Sequence, residues 1–251
     1  MDPIFNRATL LLGADVMQRL AESRVIIFGI GGVGSWCAES LIRTGLGHLT
    51  IVDNDVVCSS NINRQLMATT RTVGRPKVLA LRERLLEINP DADVAVREQT
   101  YTASTADDFD LDAFDYVIDA IDSLHDKALL IERACQSRTR LFSSMGAALK
   151  MDPSRIRIAE FWKVQGDPLA RALRNLFKRQ GRRPRRKFQC VYSDELMHNR
   201  SAALPEHEAT ANKRSNINGS LMHITSIFGC TLAGLVLQDI ARRTESDERV
   251  N

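Results

Sequence analysis

The chain has 251 residues, 44% of them hydrophobic and 26% charged, with a formal net charge of +3. That length and apolar content suffice for one large α/β domain, or one domain with an appendage, and exclude collagenous, fully disordered and disulfide-scaffold classes. Five scattered cysteines, Cys37, Cys58, Cys135, Cys190 and Cys230, form no C-x-x-C pair, which points to a reducing compartment and away from cysteine-bound zinc.

The first residues, Met1 to Arg7, lack the charged-then-apolar layout of a secretory signal, so a cytoplasmic protein is expected. Arg7 to Leu20 reads as one or two short amphipathic helices outside the sheet. Val25 to Phe28 is a β-branched apolar strand; it enters a turn with Gly29, Gly31, Gly32 and Gly34, and a helix-forming stretch, Ser35 to Ile42, leaves it. Glycines let the backbone approach a phosphate without Cβ interference, and the new helix supplies free N–H groups and a partial positive charge. A nucleotide is therefore expected at this turn. The following helix stops near Gly45-Leu-Gly47, and His48 to Asp53 is a second strand ending in an acid. Asp53 follows Gly34 by 19 residues, the distance at which an acid accepts from ribose hydroxyls.

A dehydrogenase would look the same to this point. The next segment, Asp53 to Gln65, is polar and carries Asp55, Asn61, Asn63, Arg64 and Gln65 where a dinucleotide fold would run straight into its next helix. A guanidinium and amides beside a phosphate cradle suit a triphosphate. Pro76 starts a helix running to about Asn89, which puts Lys77 on the first turn as a point charge for phosphate. Ala92 to Glu98 is a third strand, and 100–114 an acidic connection. Tyr116 to Asp122 is a fourth, buried-type strand with acids at its carboxyl edge. Asp122 is a candidate ligand for Mg²⁺ bound with ATP, or else the N-cap of the next helix. A helix from Asp126 to Ser137 and a strand from Thr139 to Ser144 complete this half.

After Gly146 the alternation fades. Arg155 to Phe161 alternates like a half-exposed strand, Asp167 to Phe177 is a short helix, and Phe188 to Ser193 another strand. Between them, Arg171 to Lys187 holds nine Lys/Arg and no acid, so the rest of the chain has 25 basic against 31 acidic residues, a formal −6. That arm, ending in a mobile loop at Gly181 and Pro184, is either a solvated face or a polyanion contact. Residues 199–214 are polar and expected to be partly disordered. Ser215 to Gln238 carries no charge over 24 residues; its many polar side chains favour a buried helix, packed on the sheet or a second subunit, over a membrane span.

Gly29-x-Gly-Gly-x-Gly-Ser35, Asp53-x-Asp55, Ser60 to Gln65, Gly74-x-x-Lys77 and Asp119-Ala-Ile-Asp122, in this order and spacing, resemble the adenylation domain of the ubiquitin-activating superfamily. The likeness covers residues 5–146. Phe5-Asn-Arg7, Leu12-Gly13, Ser35-Trp36, Asp152-Pro-Ser154 and Cys190 to Glu195 are most similar to its branch that dehydrates threonylcarbamoyladenosine in tRNA. The resemblance implies a Rossmann-like doubly wound α/β sheet with a C-terminal mixed extension: residues 1–146 an ATP-binding adenylation domain, 147–251 a substrate-side and dimerisation extension. It implies that Asp53 holds the ribose, Arg64 and Lys77 the phosphates and Asp122 Mg²⁺, that Asn61 orients the phosphates, and that Arg7 reaches the partner's active site in a homodimer. Ile4 stands where the family often has another arginine. The implied activity is ATP-dependent cyclisation of the modified adenosine through carboxylate activation, with tRNA as partner, room for a sulfur-relay protein, and no nucleophilic role required of Cys190. The rivals are an activator of a sulfur-carrier or ubiquitin-like protein, a non-catalytic nucleotide-gated tRNA binder and, more distantly, a NAD-dependent oxidoreductase.

Overall fold

The computed structural model describes residues 3–201 and 218–248. The reading of 199–214 as partly disordered falls mostly outside them. In chain order the elements are α1 (Asn6–Leu12), α2 (Ala14–Glu22), β1 (Arg24–Phe28), α3 (Gly34–Thr44), β2 (His48–Val52), α4 (Lys77–Ile88) and β3 (Asp93–Arg97). There follow β4 (Tyr116–Asp119), α5 (Leu124–Gln136), β5 (Arg140–Ser144), β6 (Ile156–Glu160), α6 (Pro168–Arg179), β7 (Gln189–Ser193) and α7 (Met222–Glu248).

One seven-stranded sheet runs in the order β3-β2-β1-β4-β5-β7-β6. Six strands are parallel; β6 is antiparallel to β7, with Ile158 opposite Val191. Both faces are covered, which is why the central strands are apolar at every position rather than at alternate ones. Along β1, Val25 and Ile27 join the core under α2, α3, α4 and α7, while Ile26 and Phe28 join the core under α5, α6 and the 101–114 connection. Helices on both faces make the sheet doubly wound, and its strand order reverses between β1 and β4.

Two short helices precede the sheet, separated by Gly13 at φ +81°. From Met222 the uncharged C-terminal stretch forms the body of α7, which is long and apolar enough to cross a bilayer. Ile224, Phe228, Leu232, Ala233, Val236 and Ile240 are buried in the core beside α3 instead. Gly229 makes that packing close: a Cβ there would overlap the Val33 carbonyl oxygen and stand 2.8 Å from Trp36 Cβ. At its far end α7 is tied to the sheet by Asp239, which accepts from Tyr116 Oη and Arg140 Nη1, both at 2.9 Å.

The basic arm departs from the mobile loop expected of it. Arg186 donates to three main-chain carbonyls, those of Ala134 at 2.7 Å, Cys135 at 3.2 Å and Thr139 at 2.6 Å, so it caps the end of α5 and pins the loop. Arg183 lies over the Trp162 ring at 5.3 Å, and Arg182 pairs with Glu132 at 3.3 Å.

Candidate nucleotide-binding site

The crevice at the carboxyl ends of β1 and β4 is where an open α/β sheet binds its ligand. Here Gly29 has φ +82°, and a Cβ on it would meet the Ala120 carbonyl oxygen at 2.7 Å; a Cβ on Gly34 would overlap the Gly29 carbonyl oxygen. Backbone packs on backbone, and α3 opens at Gly34 with its orphan N–H groups and positive dipole end at the turn. A Cβ on Gly32 would come within 3.2 Å of Thr225 of α7, and one on Gly31 would stand 3.6 Å from the Gln65 amide nitrogen.

Asp53, just beyond β2, is fixed on the flank of this turn. Its Oδ2 accepts from the Ile30 N–H at 3.0 Å and its Oδ1 from the Asp55 N–H at 2.9 Å, leaving further lone pairs for hydroxyl donors. Asp55 receives Lys77 Nζ at 2.8 Å. Lys77 is the first residue of α4, as the Pro76 signal predicts, and is 5% exposed with its ammonium held at this carboxylate.

The polar insert folds back onto the glycine turn. Ser35 Oγ donates to the Gly31 carbonyl at 2.6 Å and accepts from the Leu66 N–H at 3.3 Å; Trp36 Nε1 donates to the Arg64 carbonyl at 3.0 Å. Within the insert the Asn61 carbonyl accepts from the N–H groups of Arg64 and Gln65, and its side chain accepts from the Cys58 N–H. Arg64 Nη1 donates to Ser60 O and Asn63 Oδ1, and Asn63 Nδ2 donates to the Ser220 carbonyl just before α7. Gln65 is buried, and its Oε1 has no hydrogen-bond partner among the described residues.

Asp122 lies three residues past β4, which ends at Asp119 rather than running on. Asp119 turns the chain by accepting from the Ile121 N–H, and its other oxygen binds Lys127 Nζ at 2.9 Å and Ser143 Oγ at 2.6 Å. Burial pushes the Asp119 carboxyl above the usual carboxylate range, against the pull of Lys127. Asp122 itself is exposed and makes no side-chain hydrogen bond among the described residues, so it neither caps α5 nor is committed elsewhere. Lys127, wholly buried and also donating to the Ile121 carbonyl, is a residue the sequence reading missed; the only signal was an acid at a strand end and a lysine on the next helix. Arg7 sits on α1, exposed, with no hydrogen bond or ion pair linking it to this cluster. Cys190 is fully buried in β7, and burial pushes its thiol far up, which disfavours a nucleophilic thiolate.

The sequence profile of the ThiF family matches residues 5–250. The chain belongs to that family. The tRNA threonylcarbamoyladenosine dehydratase of Bacillus subtilis strain 168 is 35% identical to it over 96% of each chain. A crystal structure of the Escherichia coli tRNA N6-threonylcarbamoyladenosine dehydratase, TcdA, in complex with ATP superposes with a TM-score of 0.84 at 32% identity, covering 96% of this chain and 95% of that one. The molybdopterin-synthase adenylyltransferase of Escherichia coli K12 is 35% identical, over 69% of this chain and 68% of its own length. The glycine turn, the insert and α7 all lie within the ThiF match.

These residues fit a nucleotide by their own chemistry. The free N–H groups at the start of α3, the Lys77 ammonium held at Asp55 two residues from Asp53, an arginine whose main chain is held to α3 by Trp36, and the buried Gln65 Oε1 without a partner among the described residues favour a polar anionic ligand with its own donors. Among the described residues no three His, Cys, Asp or Glu gather into a metal site. One free carboxylate, Asp122, suits a cation that arrives with phosphates.

Proposed function

We propose that the chain is an ATP-dependent enzyme that cyclises threonylcarbamoyladenosine in tRNA by activating its carboxylate, in the cytoplasm and as a homodimer. The observation that carries this reading is the 59–65 insert, whose Arg64 carbonyl is held to the start of α3 by Trp36 and whose Gln65 amide faces Gly31; a dinucleotide enzyme has no use for it. The likeness to the dehydratases over nearly the whole chain supports the choice of substrate, because the activator of molybdopterin synthase is matched over a smaller share. In this reading residues 1–146 bind ATP, and 147–251 supply the substrate side and the subunit contact.

A carboxylate resists attack because its leaving group would be oxide. Its oxygen attacks the α-phosphorus of ATP, pyrophosphate departs, and the carbon now carries AMP as leaving group. The substrate's own ureido group then closes on that carbon, and AMP leaves with the former carboxylate oxygen, so one water is lost from the nucleoside. Because the nucleophile is already attached, its effective concentration replaces a catalytic cysteine, and buried Cys190 is not needed. Asp53 orients the ribose through the fixed position of its two oxygens. Asn61 orients the phosphates by holding the insert's backbone. Arg64 and Lys77 meet charge that grows on the phosphates; Lys77 does so by exchanging its bond to Asp55. Asp122 would hold Mg²⁺, which neutralises phosphate charge when bound.

Arg7 acts in trans, from the partner subunit. The support is its exposed position on α1, unpaired among the described residues, next to Leu10 and Leu11, which are 88% and 84% exposed and call for an apolar partner. The basic arm is the tRNA contact.

The test is mass spectrometry of nucleosides from tRNA incubated with the protein and ATP. Loss of one water from threonylcarbamoyladenosine, dependent on ATP, is the expected result. Pyrophosphate exchange with a small sulfur-carrier protein, and none with tRNA, would reassign the chain to the activators; ATP binding without exchange would make it a nucleotide-gated binder.

A further inference from the structure

Arg64 follows a single 3-10 turn, Ser59–Asn61, too short to fix its own place in the fold, so contacts with neighbouring elements must set its position. Two consecutive residues in the first turn of α3 do this. Trp36 Nε1 holds the Arg64 carbonyl at 3.0 Å and Ser35 Oγ holds the Leu66 N–H at 3.3 Å, so the two bonds bracket the buried Gln65. We infer that Trp36 is a positioning residue for carboxylate activation: its indole N–H anchors the Arg64 main chain to the same helix end that faces the phosphates. This rests on the proposed role of Arg64.

The chemistry favours an anchor of this kind. The indole N–H is donor-only and rigid, and the carbonyl it binds belongs to the residue whose side chain must meet developing charge. Arg64 Nη1 donates to Ser60 and Asn63, and Asn63 in turn donates to the Ser220 carbonyl before α7, so these side-chain bonds lead toward α7 while the main chain of Arg64 is held to α3. The Trp36 side chain leaves α3 where α7 packs most closely, since a Cβ on Gly229 would come within 2.8 Å of Trp36 Cβ. α3 therefore carries both the phosphate-binding turn and the anchor of the arginine, in one rigid body.

Trp36→Phe keeps an aromatic ring and removes the donor with part of the indole, so the exchange rates at β4 serve as the control for lost packing. The experiment measures ATP-dependent pyrophosphate release with modified tRNA for the parent, Trp36→Phe, Arg64→Ala and the double variant, together with amide hydrogen exchange of each. Loss of one such bond should slow release roughly fivefold in the parent background, and less than about twofold once Arg64 is gone, since coupled residues are not additive. In Trp36→Phe the amides of Arg64 and Gln65, both donated to Asn61, should exchange about fivefold faster, with β4 unchanged. Equal slowing in both backgrounds, or unaltered exchange at Arg64 and Gln65, overturns the inference. Acceleration spread equally into β4 would mark a merely structural ring and overturn it too. If Arg64→Ala keeps the parent rate, the role given to Arg64 falls, while the exchange data still decide whether Trp36 holds the segment.

Discussion

Lys77 is buried, yet its carboxylate partner Asp55 has a side chain 57% exposed. Removing the ammonium therefore leaves an acid that water can solvate, not a stranded buried charge, and Asp122 is exposed to begin with. Lys77→Ala and Asp122→Asn should each melt within about 4 °C of the parent and lose about 10²-fold or more in carboxylate activation. Near-parent turnover in either variant would remove that residue from the site. Glu39, on α3, is a different case. Burial tends to raise its carboxyl, but hydrogen bonds from Arg84 at 2.6 Å and Arg43 at 2.8 Å outweigh this and hold it below the usual carboxylate range. A carboxyl whose folded value is depressed contributes stability above its unfolded value, and that stability is lost as pH falls through the folded one. Glu39→Gln should cost about 2 kcal/mol near neutrality, and its deficit against the parent should shrink as pH is lowered below about 4. Urea titrations of both proteins across that range check this; a deficit independent of pH would rule it out.

At the scale of elements, the anchored loop of the basic arm changes which residues can report on RNA. Arg186 caps α5, so its removal would release three carbonyls and disturb the loop whether or not RNA binds there. Arg171, Lys178, Arg179 and Arg185 are exposed and make no such bonds among the described residues. Replacing those four by alanine should flatten the salt dependence of tRNA binding, at a log–log slope of roughly 0.7 to 0.9 per lost contact, and raise the KM for tRNA while ATP binding stays as in the parent. An unchanged slope would move the RNA contact elsewhere. The arm also shows what a sequence reveals and what it hides. Strands β1 and β4 were legible because a parallel strand buried on both faces is a near-continuous apolar run, and α4 because Pro76 announces it. The glycine turn, Asp53 and the insert were legible as a spacing. Trp36 with Arg64, Asp119 with Lys127 and Arg186 with the end of α5 were not, because each joins residues on different elements and leaves no period in the chain. The same holds for the end of β4: only the turn made by Asp119 frees Asp122 from the strand.

For the whole molecule, the open question is whether one chain holds a complete site. Leu10 and Leu11 leave an apolar face on α1, and Arg7 stands one helical turn before Leu11 on the same short helix. A second copy covering that face would carry Arg7 toward the neighbouring site, and a twofold dimer would make the exchange reciprocal. The two chains can then be made to repair each other. Arg7→Ala subunits have an intact Asp122, and Asp122→Asn subunits an intact Arg7, so a heterodimer of the two contains one site with both residues and one with neither. Random pairing after mixing should restore about a quarter of the parent activity, since half of the dimers are mixed and half of their sites are whole. Each variant alone stays near its own background. The measurement is nucleoside dehydration by the mixture, with heterodimers counted by differently tagged subunits. If tagged heterodimers form and activity does not rise, Arg7 serves its own subunit or has no part in the reaction, and the exposed leucines must be explained by some other contact.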